Sequence, residues 1–294
     1  MSLTENPIPP SELIINPNGS IYHLGLVPDQ LADKIILVGD PERVPKVSKF
    51  FSSIEFKMSR REFVIHTGMY QGHRVTVLST GMGTDNIDIA ITELDALVNI
   101  DFQTRLLKSN HTQLKILRLG TCGGVQPEVP LGSFVLSEYA CGLDGLAYYY
   151  CLNSESDEQQ LNDSFRQFLQ QQFQFDFITP YSVRKTAQFS IAGDHFKGIT
   201  LTADGFYGPQ SRQLRLKPRL DDIPKNISTF RFGELKFLNI EMETAGILLM
   251  SRLLGHQAAS LSMILANRQL KQFFHDSAPT IDRLIEVGLN SIIQ

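Results

Sequence analysis

The chain has 294 residues, 42% hydrophobic and 20% charged, with a net charge of -4 and a pI near 6.0. This is ordinary for a globular enzyme, and such a length buries a sizeable core as one α/β domain or two. It excludes a broad basic face for nucleic acid or anionic membrane and any run of ~18 apolar residues that would span a bilayer, while three cysteines (Cys122, Cys141, Cys151) without a C-x-x-C pair point to a reducing cytoplasm.

Residues 1–20 are polar and carry Pro7, Pro9 and Pro10, so they read as a loose arm without the apolar core of a signal peptide. Residues 21–294 then form the folded domain. Residues 34–38 are a short buried strand ending at Gly39-Asp40-Pro41, with Asp40 as N-cap of the next helix and Arg43 pointing back to the strand end. Glycine turn, helix N-terminus and arginine together suit a phosphate. Strands at 62–66 and 74–79 join through Gln71-Gly72 as a hairpin. Thr80-Gly81-Met82-Gly83-Thr84 is a second strand-to-helix turn, and the helix after it, 86–98, sets Ile87, Ile91, Leu94 and Val98 on one face. Residues 101–113 are polar and irregular.

Arg118-Leu119-Gly120-Thr121-Cys122-Gly123-Gly124 follows a strand at 114–117 and reads as a glycine turn before the strand at 133–139. Small residues let an anion reach backbone N–H groups, Arg118 adds a bidentate fork and Thr121 a hydroxyl. Alone, the segment is equally a plain turn between core strands. Residues 145–150 are aromatic and glycine-bearing, a candidate wall of a site, and 158–173 form an amphipathic surface helix. A strand at 199–203 leads into Asp204 to Gln210, and 218–233 read as a charged loop or lid. Strand 237–240, helix 243–254, strand 258–265 and helix 280–293 complete one α/β domain, a central mixed β-sheet flanked by helices.

Chemistry gathers in three places. Arg43, Arg61 and Arg118 lie at strand or helix ends beside glycine turns, and a dianion needs about two to three such donors at ~1.5–3 kcal/mol each. Taken alone, Arg60-Arg61 is a solvated edge. Glu241-Met242-Glu243 follows a core strand; both carboxylates favour a helix start, and Glu243 suits vicinal sugar hydroxyls and a developing oxocarbenium ion. Phe206, Gln210 and Arg212 offer a ring to stack on a base and groups to read its edge, or equally a surface turn at Gly208-Pro209. There is no full dinucleotide fingerprint, no H-E-x-x-H and no G-x-S-x-G.

In chain order, Gly39-Asp-Pro-Glu-Arg43-Val44, Arg61-Glu-Phe63, Ser79-Thr-Gly-Met-Gly83, Arg118-Leu-Gly-Thr121, Phe206-Tyr-Gly-Pro-Gln210-Ser-Arg212 and Asn239-Ile-Glu-Met-Glu243 resemble the nucleoside phosphorylase-I superfamily, most closely its uridine phosphorylases. The resemblance implies phosphate held by Gly39, Arg43, Arg61, Arg118 and Thr121. It implies ribose held by Met242 and Glu243, with His23 of a neighbouring subunit near the 5′-hydroxyl. Uracil would stack by Phe206 and be read by Gln210 and Arg212, so that Arg212, Gln210, Glu243 and Arg118 carry the catalysis.

The implied reaction is reversible phosphorolysis of uridine in pyrimidine salvage, with phosphate as co-substrate, no organic cofactor and neither nucleic acid nor membrane as partner. A homo-oligomer is implied, the insert at 101–113 favouring a dimer over a hexamer built as a trimer of dimers. The position of Glu62 implies a monovalent cation between subunits; Asp85 and the Gly208-Pro209 order depart from the usual pattern, leaving the ion and the loop geometry open. Purine enzymes place a catalytic Asp near Asn267-Arg268, and this chain has none. A purine phosphorylase, a nucleosidase and a silent nucleoside-binding protein stay as alternatives.

Overall fold

The computed structural model describes residues 6–173 and 179–294. Strand β1 (Lys34–Val38) shows why the fold is layered, because its four apolar residues need cover on both sides. Ile35 and Leu37 join one core with Ile87, Ile91 and Leu94, while Ile36 and Val38 join another with Val44, Val47, Leu284 and Leu289. Strand side chains alternate, so each face recruits its own helices. After α1 (Arg43–Ser48) come β2 (Ser53–Arg60), β3 (Phe63–Tyr70), β4 (His73–Ser79) and α2 (Thr84–Asn99). Then follow β5 (Lys115–Gly124), β6 (Phe134–Gly142), α3 (Ser156–Phe173), β7 (Tyr181–Arg184), β8 (Phe196–Thr202) and α4 (Ile223–Ser228). The chain ends with β9 (Phe237–Glu241), α5 (Thr244–Leu253), β10 (Gln257–Asn267), β11 (Gln272–Phe273) and α6 (Ala278–Ile292).

Among the described residues eleven strands make one mixed sheet, in the order β11-β10-β6-β8-β9-β5-β1-β4-β3-β2 with β7 on β6. β10 also pairs in parallel with β5, from Gln257 opposite Lys115 to Asn267 opposite Gly124. Strands β5, β9, β8, β6 and β10 therefore close into a circuit. Closure leaves no unpaired edge there. α3 and α4 cover a third core around Phe165 and Phe237. No helix among the described residues is long and apolar enough to cross a membrane.

The mixed sheet with helices on both faces agrees with the sequence reading, and several local expectations change. Residues 118–124 are not a turn but the second half of β5, because Gly123 and Gly124 pair with Ile240 and Asn239 of β9. Asp40 does not cap α1: its carboxylate accepts from the N–H of Glu42, which is the cap, and the helix starts at Arg43. The expected loop or lid at 218–233 contains α4, capped by the Asp222 side chain on the N–H of Lys225. The part of the expected loose arm that is described, residues 6–20, is tied down: Arg105 donates to the carbonyls of Ile8, Pro9 and Leu13, and Leu13 is buried. Residues 1–5 of that arm lie outside the described residues.

α6 sits directly on β5, where a Cβ on Gly288 would meet Leu119 Cδ2 at 2.5 Å. Gly288→Ala is expected to cost about 1–3 kcal/mol by overpacking. Urea unfolding checks this: the midpoint should fall at constant slope, and an unchanged midpoint would contradict the close seating of α6.

Candidate active site

β1, β4 and β5 run parallel, and a cavity of about 1450 Å³ opens beyond their C-terminal ends. This is where open parallel sheets present helix N-termini and turns to ligands. The turns after β1 and β4, the second half of β5, the ends of β9 and β10, and the segments around Gln210 and Asp222 all line it.

Arg118 dominates one end. It is 4% exposed and folds back over Gly120, where a Cβ would lie 1.8 Å from its Nη1. Only glycine leaves room for a guanidinium there. Nη1 donates to Ser262 Oγ at 3.0 Å, and Nη2 donates to Glu243 Oε2 at 2.5 Å with Glu241 Oε2 at 3.1 Å. Burial opposes the charge of Arg118, yet Glu241 and Glu243 more than offset it and its pKa is raised. Arg43, the first residue of α1, is also buried and donates to the carbonyl of Leu119 at 3.2 Å. Burial, and then the charge of Arg118, pull its pKa down. An anion between these two cations would relieve that strain, and Gly39 and Thr121 line the same end.

Glu243 stands at the N-cap of α5, its Oε1 accepting from the N–H of Gly83 at 2.9 Å. Burial pushes its carboxyl above the ordinary range, against the pull of Arg118 and of the Gly83 N–H. Met242 lies beside it on the cavity wall.

At the other end the Arg212 guanidinium lies 3.6 Å from the centre of the Phe206 ring. Its Nη1 donates to Gln210 Oε1 and to the Phe206 carbonyl, both at 2.6 Å. Gln210 is buried, and Arg268 Nη2 donates to its carbonyl at 3.2 Å, leaving Arg268 Nη1 buried without a hydrogen-bond partner. Burial, and then Arg268, push Arg212 down to about 10, so it stays cationic at neutral pH.

The structure thus brings together Gly39, Arg43, Arg118, Thr121, Phe206, Gln210, Arg212, Met242 and Glu243. It does not bring Arg61 or His23 to this chain's own cavity. Arg61 is exposed in the turn between β2 and β3, with φ +54°. His23 Nδ1 lies 2.7 Å from Glu93 Oε1, and its N–H also bonds Glu93. Tyr22 lies edge-on to His23 and under the Arg60 guanidinium, so His23 and the Arg60-Arg61 turn share one partly exposed patch. The aromatic run at 145–150 is not a wall of the cavity, and Tyr148 and Tyr149 face outward. Arg268 is the residue that sequence reading misses, since Asn267-Arg268 stands out there only for the carboxylate it lacks.

Glu62 lines the cavity near Gly81 and Asn86 Nδ2. Among the described residues the group of three metal-ligand types is elsewhere, at Asp95, His111 and His256. There the Leu114 N–H donates to His256 Nδ1 at 3.2 Å, which puts the proton of the neutral ring on Nε2, 3.2 Å from Asp95 Oδ1. Nε2 then has no lone pair to give a metal. The group is a close polar approach between α2 and the start of β10, in which His256 Nε2 makes no hydrogen bond.

The sequence matches the phosphorylase superfamily over residues 33–286. The chain belongs to that superfamily. This phosphorylase is 26% identical to the uridine phosphorylase of Thermococcus kodakarensis over 257 residues, 87% of this chain and 80% of that protein. It is 27% identical to the DeoD-type purine nucleoside phosphorylase of Geobacillus stearothermophilus over 279 residues, 92% of this chain and 98% of that protein. The crystal structure of a Trypanosoma brucei nucleoside phosphorylase that shows uridine phosphorylase activity superposes with a TM-score of 0.86 at 29% identity, covering 96% of this chain and 99% of that one.

A phosphorylase needs a seat for its anion, and Gly120 makes room for one of the two guanidiniums that would form it. Gly120→Ala is expected to displace Arg118 and weaken inorganic phosphate binding about tenfold or more, the loss of one charge-assisted bond. Isothermal titration with phosphate checks this, and undiminished affinity would remove Arg118 from the anion site.

Proposed function

We propose that the chain is a uridine phosphorylase, converting uridine and phosphate reversibly to uracil and ribose 1-phosphate. The observation that carries this reading is the base end of the cavity. Gln210 Oε1 accepts one bond, from Arg212, and keeps a lone pair for a base N–H, while the Gln210 amide N–H and the guanidiniums of Arg212 and Arg268 stand beside it as donors. One acceptor among donors matches the carbonyl, N–H, carbonyl edge of uracil and mismatches the amino edge of cytosine or adenine.

Phosphate seated by Gly39, Arg43, Arg118 and Thr121 would attack C1′ as the bond from C1′ to the base nitrogen breaks, with inversion. The bonding electrons pass to uracil, whose carbonyl oxygens gain charge opposite Arg212 and Arg268, donors already in place for it. Glu243 would accept from the ribose hydroxyls and favour the positive charge developing on the sugar. Positioning supplies much of the remaining acceleration.

The reading carries with it a cytoplasmic homodimer without organic cofactor. In that dimer the patch of His23 and Arg61 reaches the neighbour's cavity, and Glu62 is the place for a structural cation. A second reading, a purine nucleoside as substrate, draws support from the Geobacillus relative and from a cavity roomier than uridine and phosphate require. Against it, Arg268 is a cation where protonation of a purine would call for an acid.

Uracil release from uridine, with and without phosphate and with inosine in parallel, tests the proposal. Release is expected only with phosphate, with inosine inert. Arg212→Ala should lower uridine turnover by roughly 10²–10³-fold while phosphate affinity holds. Release without phosphate would make the protein a nucleosidase, and faster inosine turnover would make it a purine enzyme.

A further inference from the structure

Glu241 lines the same cavity and has no part in the steps above. Its carboxylate is 4% exposed and accepts from the Thr202 hydroxyl at 2.7 Å, the Thr244 hydroxyl at 2.9 Å, and the N–H groups of Glu243 and Thr244 at 3.0 Å. A carboxylate that merely favoured the start of α5 would need only the N–H groups. Glu241 has three contacts more, the two hydroxyls and Arg118. Its Oε2 lies 3.1 Å from Arg118 Nη2, the nitrogen that also donates to Glu243 Oε2 at 2.5 Å.

Resting on the reading of Glu243 as the ribose acceptor, we infer that Glu241 is a positioning residue for the sugar, holding Arg118 folded across Gly120 and dividing it between two carboxylates. An arginine left to one carboxylate tends to close a bidentate fork and to occupy both oxygens. Here Nη1 is tied to Ser262 and Nη2 is shared, so Arg118 touches Glu243 through one oxygen only. The other oxygen meets a single donor, the Gly83 N–H, and keeps lone-pair capacity for vicinal hydroxyls. The bond from the Glu243 N–H to Glu241 fixes the backbone that carries Met242 and Glu243.

The arrangement has a sign that can be measured. The charged and titratable groups around this pair are Arg118 and Cys122 from β5, Arg43 from α1, and Tyr181 from β7, which faces Glu241. The N-terminus of α2 adds the Gly83 N–H. After burial, the Glu241 charge raises Glu243 against the pull of Arg118. Glu243 works ionised, so activity falls as pH drops through its pKa. Removing the Glu241 charge lowers that pKa, and the acid limb moves to lower pH.

The test compares the full chain with Glu241→Gln, Thr202→Val and Ser262→Ala, measuring kcat and KM across pH. Wild-type turnover identifies the nucleoside, uridine or inosine, and the same comparison is then made on that nucleoside, since the sugar is common to both. Glu241→Gln is expected to shift the acid limb of kcat/KM to lower pH and to raise KM for the ribonucleoside about tenfold or more, with a smaller rise for its 2′-deoxy analogue. Thr202→Val and Ser262→Ala, which leave every charge in place, should raise KM without moving the limb, and they carry the test if Glu241→Gln does not fold. An unmoved limb with an unchanged ratio of ribonucleoside to deoxynucleoside would reduce Glu241 to a helix cap, as would unchanged KM in both other variants. A wild type inert toward both nucleosides would overturn the function and this inference together, whereas inosine turnover with a shifted limb would overturn the uridine reading alone.

Discussion

A buried guanidinium has to find oxygen partners, and the structure around Arg118 is arranged to supply them. β10 brings Ser262, β9 brings Glu241, and the start of α5 brings Glu243. Glycine at position 120 leaves the guanidinium somewhere to lie. Removing any one partner would leave a buried charge short of a ligand, which in a dry interior is far more costly than never having built the site. The two acids are therefore structural first, and under the proposed function they would serve twice. They hold the cation that an incoming anion would meet, and the excess negative charge they bring would suit a sugar that turns positive during reaction.

What the sequence alone made legible followed physical signal strength. β1 was readable because an uninterrupted apolar run can only be a strand covered on both faces, and α2 because its apolar residues recur with a helix's period. Residues 118–124 misled for a sound reason: the small residues that make a turn also let a strand lie close to two neighbours beneath a folded-back arginine. α4 was hidden inside a charged stretch whose cap, Asp222, sits at φ +52°, a conformation no local pattern announces. That Arg43, Arg118, Arg212 and Glu243 gather in one cavity was legible from motif order, yet the place of Arg268 among them was not. Its position depends on the end of β10 coming beside Gln210, a contact that lives in the topology rather than in any local run.

The two candidate residues that stay outside the cavity are informative in the same way. His23 and Arg61 occupy one patch, joined through Tyr22 and Arg60, although they lie on different segments. The His23 side chain is held by its bond to Glu93 rather than by the cavity. Residues preorganised away from their own site lose little conformational freedom when another surface meets them. That economy is what a shared site between subunits would exploit.

The pairing of β5 with β10 has a further consequence, for the order of assembly. Every strand in the closed circuit waits on contacts between segments far apart in the chain, since Lys115 lies opposite Gln257. During synthesis the cavity-lining half of β5 emerges long before the strand that flanks it. Until β10 arrives, one side of β5 is an open edge and Arg118 lacks Ser262 as a partner. Such non-local closure slows folding and leaves the nascent chain open to wrong pairings, so the same strand that organises the finished enzyme is its most vulnerable segment while the chain is incomplete.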